Sequence, residues 1–97
     1  MKLGTVTQQP AERFSYTISY ADALSAGDNV KDVVGTVIPA TGLVLDNVIP
    51  LDPRIKFWVG AVDADDTVGI YTVELTVTSE DGQIFQDEIK FRIKEYT

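Results

Sequence analysis

Hydrophobic and polar residues alternate with a period of two along much of the chain. The alternation begins after Glu12, where Phe14, Tyr16, Ile18 and Tyr20 are separated by Ser15, Thr17 and Ser19. A period of two marks a strand with one buried face. The Ala-rich ADALSAGDN at 21–29 predicts a connection with one helical turn ended by Gly27. A second apolar stretch follows over 30–38, and Gly35 within it predicts a bulge or bend. A turn over 39–42, a third strand over 43–49 and a break at PLDP, residues 50–53, come next.

The fourth strand, RIKFWVGAV at 54–62, sets Ile55, Phe57 and Val59 on one face and Lys56 and Trp58 on the other. Trp58 therefore stands opposite the aliphatic side, where either a second covered face or a partner would meet it. Farther along, Tyr71, Val73, Leu75 and Val77 alternate with Thr72, Glu74 and Thr76, and Ile89, Phe91 and Ile93 alternate with Lys90, Arg92 and Lys94. With SEDGQ between them these form a β-hairpin, turning either as type I with a G1 bulge or as type I′ at Asp81-Gly82. Thr72, Glu74 and Thr76 are expected to face Lys90, Arg92 and Lys94 in favourable cross-strand pairs. Residues 1–11 read as a flexible arm, because Gly4, Gln8, Gln9 and Pro10 interrupt any pattern, and 12–97 as a single domain.

Short strands separated by turn signals predict an all-β fold, an immunoglobulin-like antiparallel β-sandwich of about 6–8 strands. Gly69-Ile70-Tyr71 supports it by opening a strand after an acidic loop, in the manner of a tyrosine corner whose ring packs inward.

Composition removes several chemistries. The 97 residues contain no Cys and no His, which leaves no disulfide framework, no thiolate nucleophile, no imidazole-ligated zinc and no Ser-His-Asp relay. The net charge is -7, whereas nucleic acid and anionic membrane both require a basic surface. Neither is expected as a partner. The first ten residues lack the apolar core of a signal peptide, so synthesis in the cytoplasm is expected.

The stretch GAVDADDTVGIY at 60–71 gathers Asp63, Asp65 and Asp66. Carboxylates at this density suit a calcium ion, which takes about six to eight oxygens. An EF-hand register from Asp63 fails, since position 6 is Val68 rather than Gly and Glu74 lies in an alternating strand. A looser calcium site and a solvated loop between strands both remain open. Paired carboxylates also serve glycoside hydrolysis, but an exposed loop lacks the walls that raise one acid's pKa. Lys90, Arg92 and Lys94 read as the solvated face of an edge strand. Trp58, Asp63, Asp65 and Asp66 are the candidate interface residues.

The ordered pieces FSYTISYADALSAGDNV (14–30), PATGLVL (39–45), FWVG (57–60) and GIYTVELTVTSEDGQ (69–83) resemble the small Ig-like proteins of tailed bacteriophages described as fiber-tail adaptors. The resemblance rests on Asp22, Leu24 and Gly27-Asp28 after the opening strand, on Pro39 and Gly42-Leu43, and on the Trp strand ending in Gly60. It continues through the Gly-x-Tyr strand running into Thr78-Ser79 and Asp81-Gly82. Two positions depart from the family pattern: Ala61 and a longer acidic loop follow Gly60 in place of a Gly-Gly turn, and Gln83 stands where Arg is usual. The resemblance implies a noncatalytic phage or prophage virion protein without a cofactor, assembling with neck, tail or fiber proteins; whether copies also form a homo-oligomer within a ring is left open by the sequence. An Ig-like module for calcium- or carbohydrate-dependent adhesion is the alternative.

Overall fold

The computed structural model describes residues 2–9, 12–39, 42–61 and 69–94. Seven strands follow in order: β1 (Lys2–Gln8), β2 (Phe14–Ser19), β3 (Val30–Ile38), β4 (Leu43–Leu51), β5 (Arg54–Ala61), β6 (Gly69–Ser79) and β7 (Ile84–Ile93). They form a four-stranded sheet, β1-β7-β6-β3, and a three-stranded sheet, β2-β5-β4. From β2 to β7 this is the strand order of an immunoglobulin sandwich, with the first strand moved across to pair with the last.

The core is the inner face of both sheets. Ile55, Phe57 and Val59 of β5 meet Tyr71, Val73, Leu75 and Val77 of β6 and Ile89, Phe91 and Ile93 of β7, all buried. Each of these side chains contributes about 1.5–3 kcal/mol by leaving water. Tyr16 of β2 joins them, stacked on Phe57 at 5.7 Å and edge-on to Phe91 at 5.2 Å.

The β6–β7 hairpin turns as type I with a G1 bulge. Gly82 N–H donates to Ser79 O at 3.1 Å, Ser79 N–H donates to Gln83 O at 2.9 Å, and Gly82 takes φ +91°. This turn sets a register in which Thr72 faces Lys90 but Glu74 faces Glu88 and Thr76 faces Gln86. The expected row of favourable pairs is thus broken by two like charges at its centre. Nor is β7 an edge: β1 covers it, pairing parallel from Lys2↔Glu88 to Gln8↔Ile93.

Lys2–Gln8 accordingly form a strand where the sequence predicts a loose arm, and the sandwich is not wholly antiparallel. A polar side chain explains why. Gln8 is buried in the position an apolar residue would take, and its amide donates to Val59 O at 3.1 Å and Glu12 O at 2.8 Å while accepting from the Tyr16 hydroxyl at 2.7 Å. Satisfied in this way, a glutamine can occupy a core.

Two other local expectations shift. Gly35 is not at a bulge, since it pairs with Leu75 in continuous register. It is small because β4 crosses there, where an added Cβ would lie 2.7 Å from Leu45 Cδ2. The break expected at 50–53 contracts to Asp52-Pro53, because Pro50 is accommodated in β4, an edge strand, opposite Ile55.

The expected helical turn is present as a single turn, Leu24 N–H donating to Tyr20 O at 3.0 Å. This connection is tied to the hairpin tip. Asp28 Oδ1 accepts from the N–H of Asn29 at 2.8 Å and of Asp81 at 3.0 Å, and Glu80 N–H donates to Asn29 O at 2.8 Å. The Ser79 side chain, then the backbone N–H groups of Asp81 and Asn29, hold the Asp28 carboxyl below its ordinary pKa, against burial that pushes it up. A second tie is buried: the Tyr20 hydroxyl donates to Asp87 Oδ2 at 2.6 Å. Burial, then that carboxylate, raises the Tyr20 pKa well above the ordinary phenol value.

Two tests follow from this packing. Gly42 has φ +100°, and an added Cβ would fall against the Tyr71 hydroxyl and 3.1 Å from its Cζ. Combining left-handed strain with overpacking, Gly42→Ala is expected to cost about 2–4 kcal/mol and lower the thermal midpoint by about 10 °C or more, read by calorimetry. For Asp28, a depressed folded pKa means its charge contributes stability above the unfolded carboxylate pKa of about 4, and loses it as pH falls through the lower folded value. Asp28→Asn is therefore expected to lower the midpoint at pH 7, with the gap to the parent closing in acid; a gap independent of pH would refute the assignment.

Candidate functional site

The outer face of the three-stranded sheet is organised around Trp58. Register fixes its neighbours: Ser15 of β2 on one side and Asp46 of β4 on the other. The next rung sets Lys56 between Thr17 and Ile49, and the one after sets Arg54 between Ser19 and Leu51.

Arg13, just before β2, lies over this surface. Its Cζ stands 4.3 Å from the Trp58 ring centroid, with Lys56 Nζ at 5.5 Å from the same ring. The guanidinium continues to Asp46, Nη2 lying 3.0 Å from Oδ1 and 3.3 Å from Oδ2. Gly60 gives the Arg13 stem its path, since an added Cβ would meet Arg13 Cγ at 3.3 Å. The Arg13 and Asp46 side chains are 48% and 42% exposed, so their ion pair adds at most about 1 kcal/mol to stability. A cation over this half-buried ring adds a similar amount. The cluster therefore serves to orient an indole rather than to hold the fold.

Around it Val44, Ile49 and Leu51 are exposed. Arg13, Arg54 and Lys56 oppose Asp46 on this face, a local positive excess on a chain of net charge -7. The outer face of the four-stranded sheet is different. Its exposed apolar residues Val34, Ile38, Ile70 and Ile84 flank a centre of Thr72, Lys90, Glu74 and Glu88. The two outer faces thus differ in composition: one centres on an indole ringed by apolar and cationic groups, the other on polar and charged side chains.

The structure thus puts Trp58 on an open face. Asp63, Asp65 and Asp66, and with them the proposed calcium loop, lie outside the described residues. Among the described residues no three acidic side chains gather as a metal site. Sequence reasoning missed Arg13, Asp46, Ile49 and Leu51 as companions of Trp58. A signal existed for Arg13, which shares the parity of Ser15, Thr17 and Ser19; the β4 partners depend on a register that a bulge between Asp46 and Ile49 resets.

The fold is an Ig-like β-sandwich, with the Arg13–Trp58–Asp46 cluster on the outer face of its smaller sheet. The chain belongs to the family described as podophage GP4 fiber-tail adaptor protein gp77, whose model matches residues 8–92. It is a phage structural protein of the tail-fiber adaptor type, and its family places it in the virion. Comparison with curated proteins gives no match.

Trp58 is the sole tryptophan, so its fluorescence reports the cluster directly. Arg13→Ala is expected to shift the emission to the red and increase acrylamide quenching while changing stability by no more than about 2 kcal/mol. An unchanged spectrum would show that Arg13 does not cover the ring in solution.

Proposed function

We propose that this protein is a noncatalytic joint of the phage particle that binds neighbouring neck, tail or fiber proteins through the outer face of β2, β5 and β4, with Trp58 as the anchor. The observation that carries this reading is the arrangement of Arg13, Trp58 and Asp46 amid exposed Val44, Ile49 and Leu51. An indole held in one orientation loses little conformational freedom on binding and buries a large area, which is why such residues dominate interface energies. The fiber-tail adaptor family supports assembly with other virion proteins. Copies arrayed in a ring around a symmetric tail need only weak individual contacts, because the array raises their effective concentration.

Mass spectrometry of purified particles is expected to find the chain at a fixed ratio to tail proteins. Trp58→Ala, which leaves the inner face of β5 untouched, is expected to fold normally and to reduce incorporation by about tenfold or more, the scale of a lost anchor of about 2 kcal/mol. Undiminished incorporation would remove Trp58 from the interface. Absence of the chain from intact particles would overturn the assembly role itself.

A further inference from the structure

The two sheets differ in width, four strands against three. β4 faces β3, where Leu45 and Val48 pack over Gly35. At the other side β2 faces β7, where the Tyr16 ring meets Phe91. β1 lies beyond β7; it meets the smaller sheet at its Gln8 end, through Val59 O and the Tyr16 hydroxyl, while Val6, two residues earlier on the same face, is only half-buried. The larger sheet thus exceeds the smaller by one strand on the β2 side, and away from the Gln8 end β1 is the floor of that excess.

The edge that borders this position is open. Tyr20 N–H donates to Pro53 O at 2.9 Å, and the same pairing runs from Ser19↔Arg54 to Phe14↔Val59. By antiparallel alternation Phe14, Tyr16 and Ile18 exchange hydrogen bonds with β5, while Ser15, Thr17 and Ser19 turn their N–H and C=O groups to the free edge. Among the described residues no strand pairs with them.

The remaining edges carry the devices that discourage strand addition. β4 has Pro50 and a bulge between Asp46 and Ile49. β3 has Lys31 and Asp32, and the carboxylates of Asp52 and Asp32 take the N–H groups of Val30 and Val33 at 2.7 and 2.8 Å. β1 is irregular between Lys2 and Thr5. FSYTIS of β2 has no charge and no proline, and its register is unbroken.

We propose that an extended segment of a partner protein adds to β2 as an eighth strand over β1, apolar at its inward positions and acidic at its outward ones. This deepens the assembly role and rests on it. Inward, the segment covers Phe14, which is 48% exposed although it shares the inner face with Tyr16 and Ile18, and Val6 of β1, which is only half-buried. Outward, it runs beside Ser15, Thr17 and Ser19, next to Arg13, Lys56 and Arg54. Acidic side chains are favoured there and basic ones repelled. The overall charge of -7 opposes an acidic partner only at long range, and physiological salt screens that repulsion beyond about 8 Å. A second copy of this chain is a poor occupant, since edge-to-edge pairing of two β2 strands would drive the overhanging β1 strands into each other. Main-chain bonds to Ser15, Thr17 and Ser19 give the contact its affinity, and the alternating side chains give its specificity.

The test uses particles carrying photoreactive benzoylphenylalanine at position 17, with position 76 on the outer face of the other sheet as control. Position 17 is expected to capture one other particle protein, within a segment of alternating apolar and acidic residues, and position 76 is not. In particles that contain the chain, capture of a second copy, of a basic or helical segment, or of nothing would overturn the proposal. Particles lacking the chain would overturn the assembly role and the proposal together, so the two failures are told apart by the chain's presence. Thr17→Pro supplies an independent arm, because it removes an edge N–H not used by β5. The isolated domain is expected to keep its thermal midpoint within about 5 °C while incorporation falls about tenfold or more, and Thr17→Val is expected to incorporate normally. Normal incorporation of Thr17→Pro would also overturn the proposal.

Discussion

The burial of one apolar column between the sheets governs the rest of this structure. Phe57 of β5 and Phe91 of β7 are fully buried, with Ile55, Val59, Val73, Leu75 and Val77 equally inaccessible. Because side chains alternate across a strand, burying this set leaves β5 no freedom over where Lys56 and Trp58 point. A slip of one residue would exchange Trp58 for Phe57 and expose the whole column. The outward indole is therefore a consequence of the core, and the sequence around it had only to supply neighbours that use it.

The mismatch in width follows from the same core. The first strand pairs with β7 rather than with β2, and it does so through Gln8, whose amide bonds hold the β1 end to β5 and to Tyr16. A strand paired with β7 supplies no main-chain partner to β2. The polar residue that closes the core on one side thus leaves the smaller sheet with an open edge on the same side. That β3 and β4 are blunted by Asp32, Asp52, Pro50 and a bulge while β2 is not makes the open edge a specific feature rather than general neglect.

Much of the fold was legible in the residues because the period-two pattern is strong where the core is apolar. The hairpin from Tyr71 to Ile93, the turn at Gly82 and the inward set of β5 are all visible as alternation. β1 was not, since a hydrogen-bonded glutamine substitutes for an apolar side chain and the pattern dissolves. Register was not legible either: Glu74 meets Glu88 because of the turn's hydrogen bonds, and Asp46 meets Trp58 because of where β4 bulges. For the site, Trp58 and its outward direction were readable, but its ring of companions comes from three different strands or their flanks, and only the folded register brings them together. Asp87 shows the converse. Alternation over 85–93 places it among inward residues, and the structure buries it against the Tyr20 hydroxyl.

The energetics of the Trp58 cluster separate stability from recognition. An exposed ion pair and an exposed cation over a ring contribute little to folding, yet Arg13 spans from Asp46 to the indole and restricts both. Restriction before binding removes a cost that an unconstrained tryptophan would incur on docking. A surface arranged in this manner gains nothing for the isolated domain that a solvated lysine and threonine would not also supply. On the assembly role proposed above, its value lies in what covers it, and the positive excess around it favours an acidic partner.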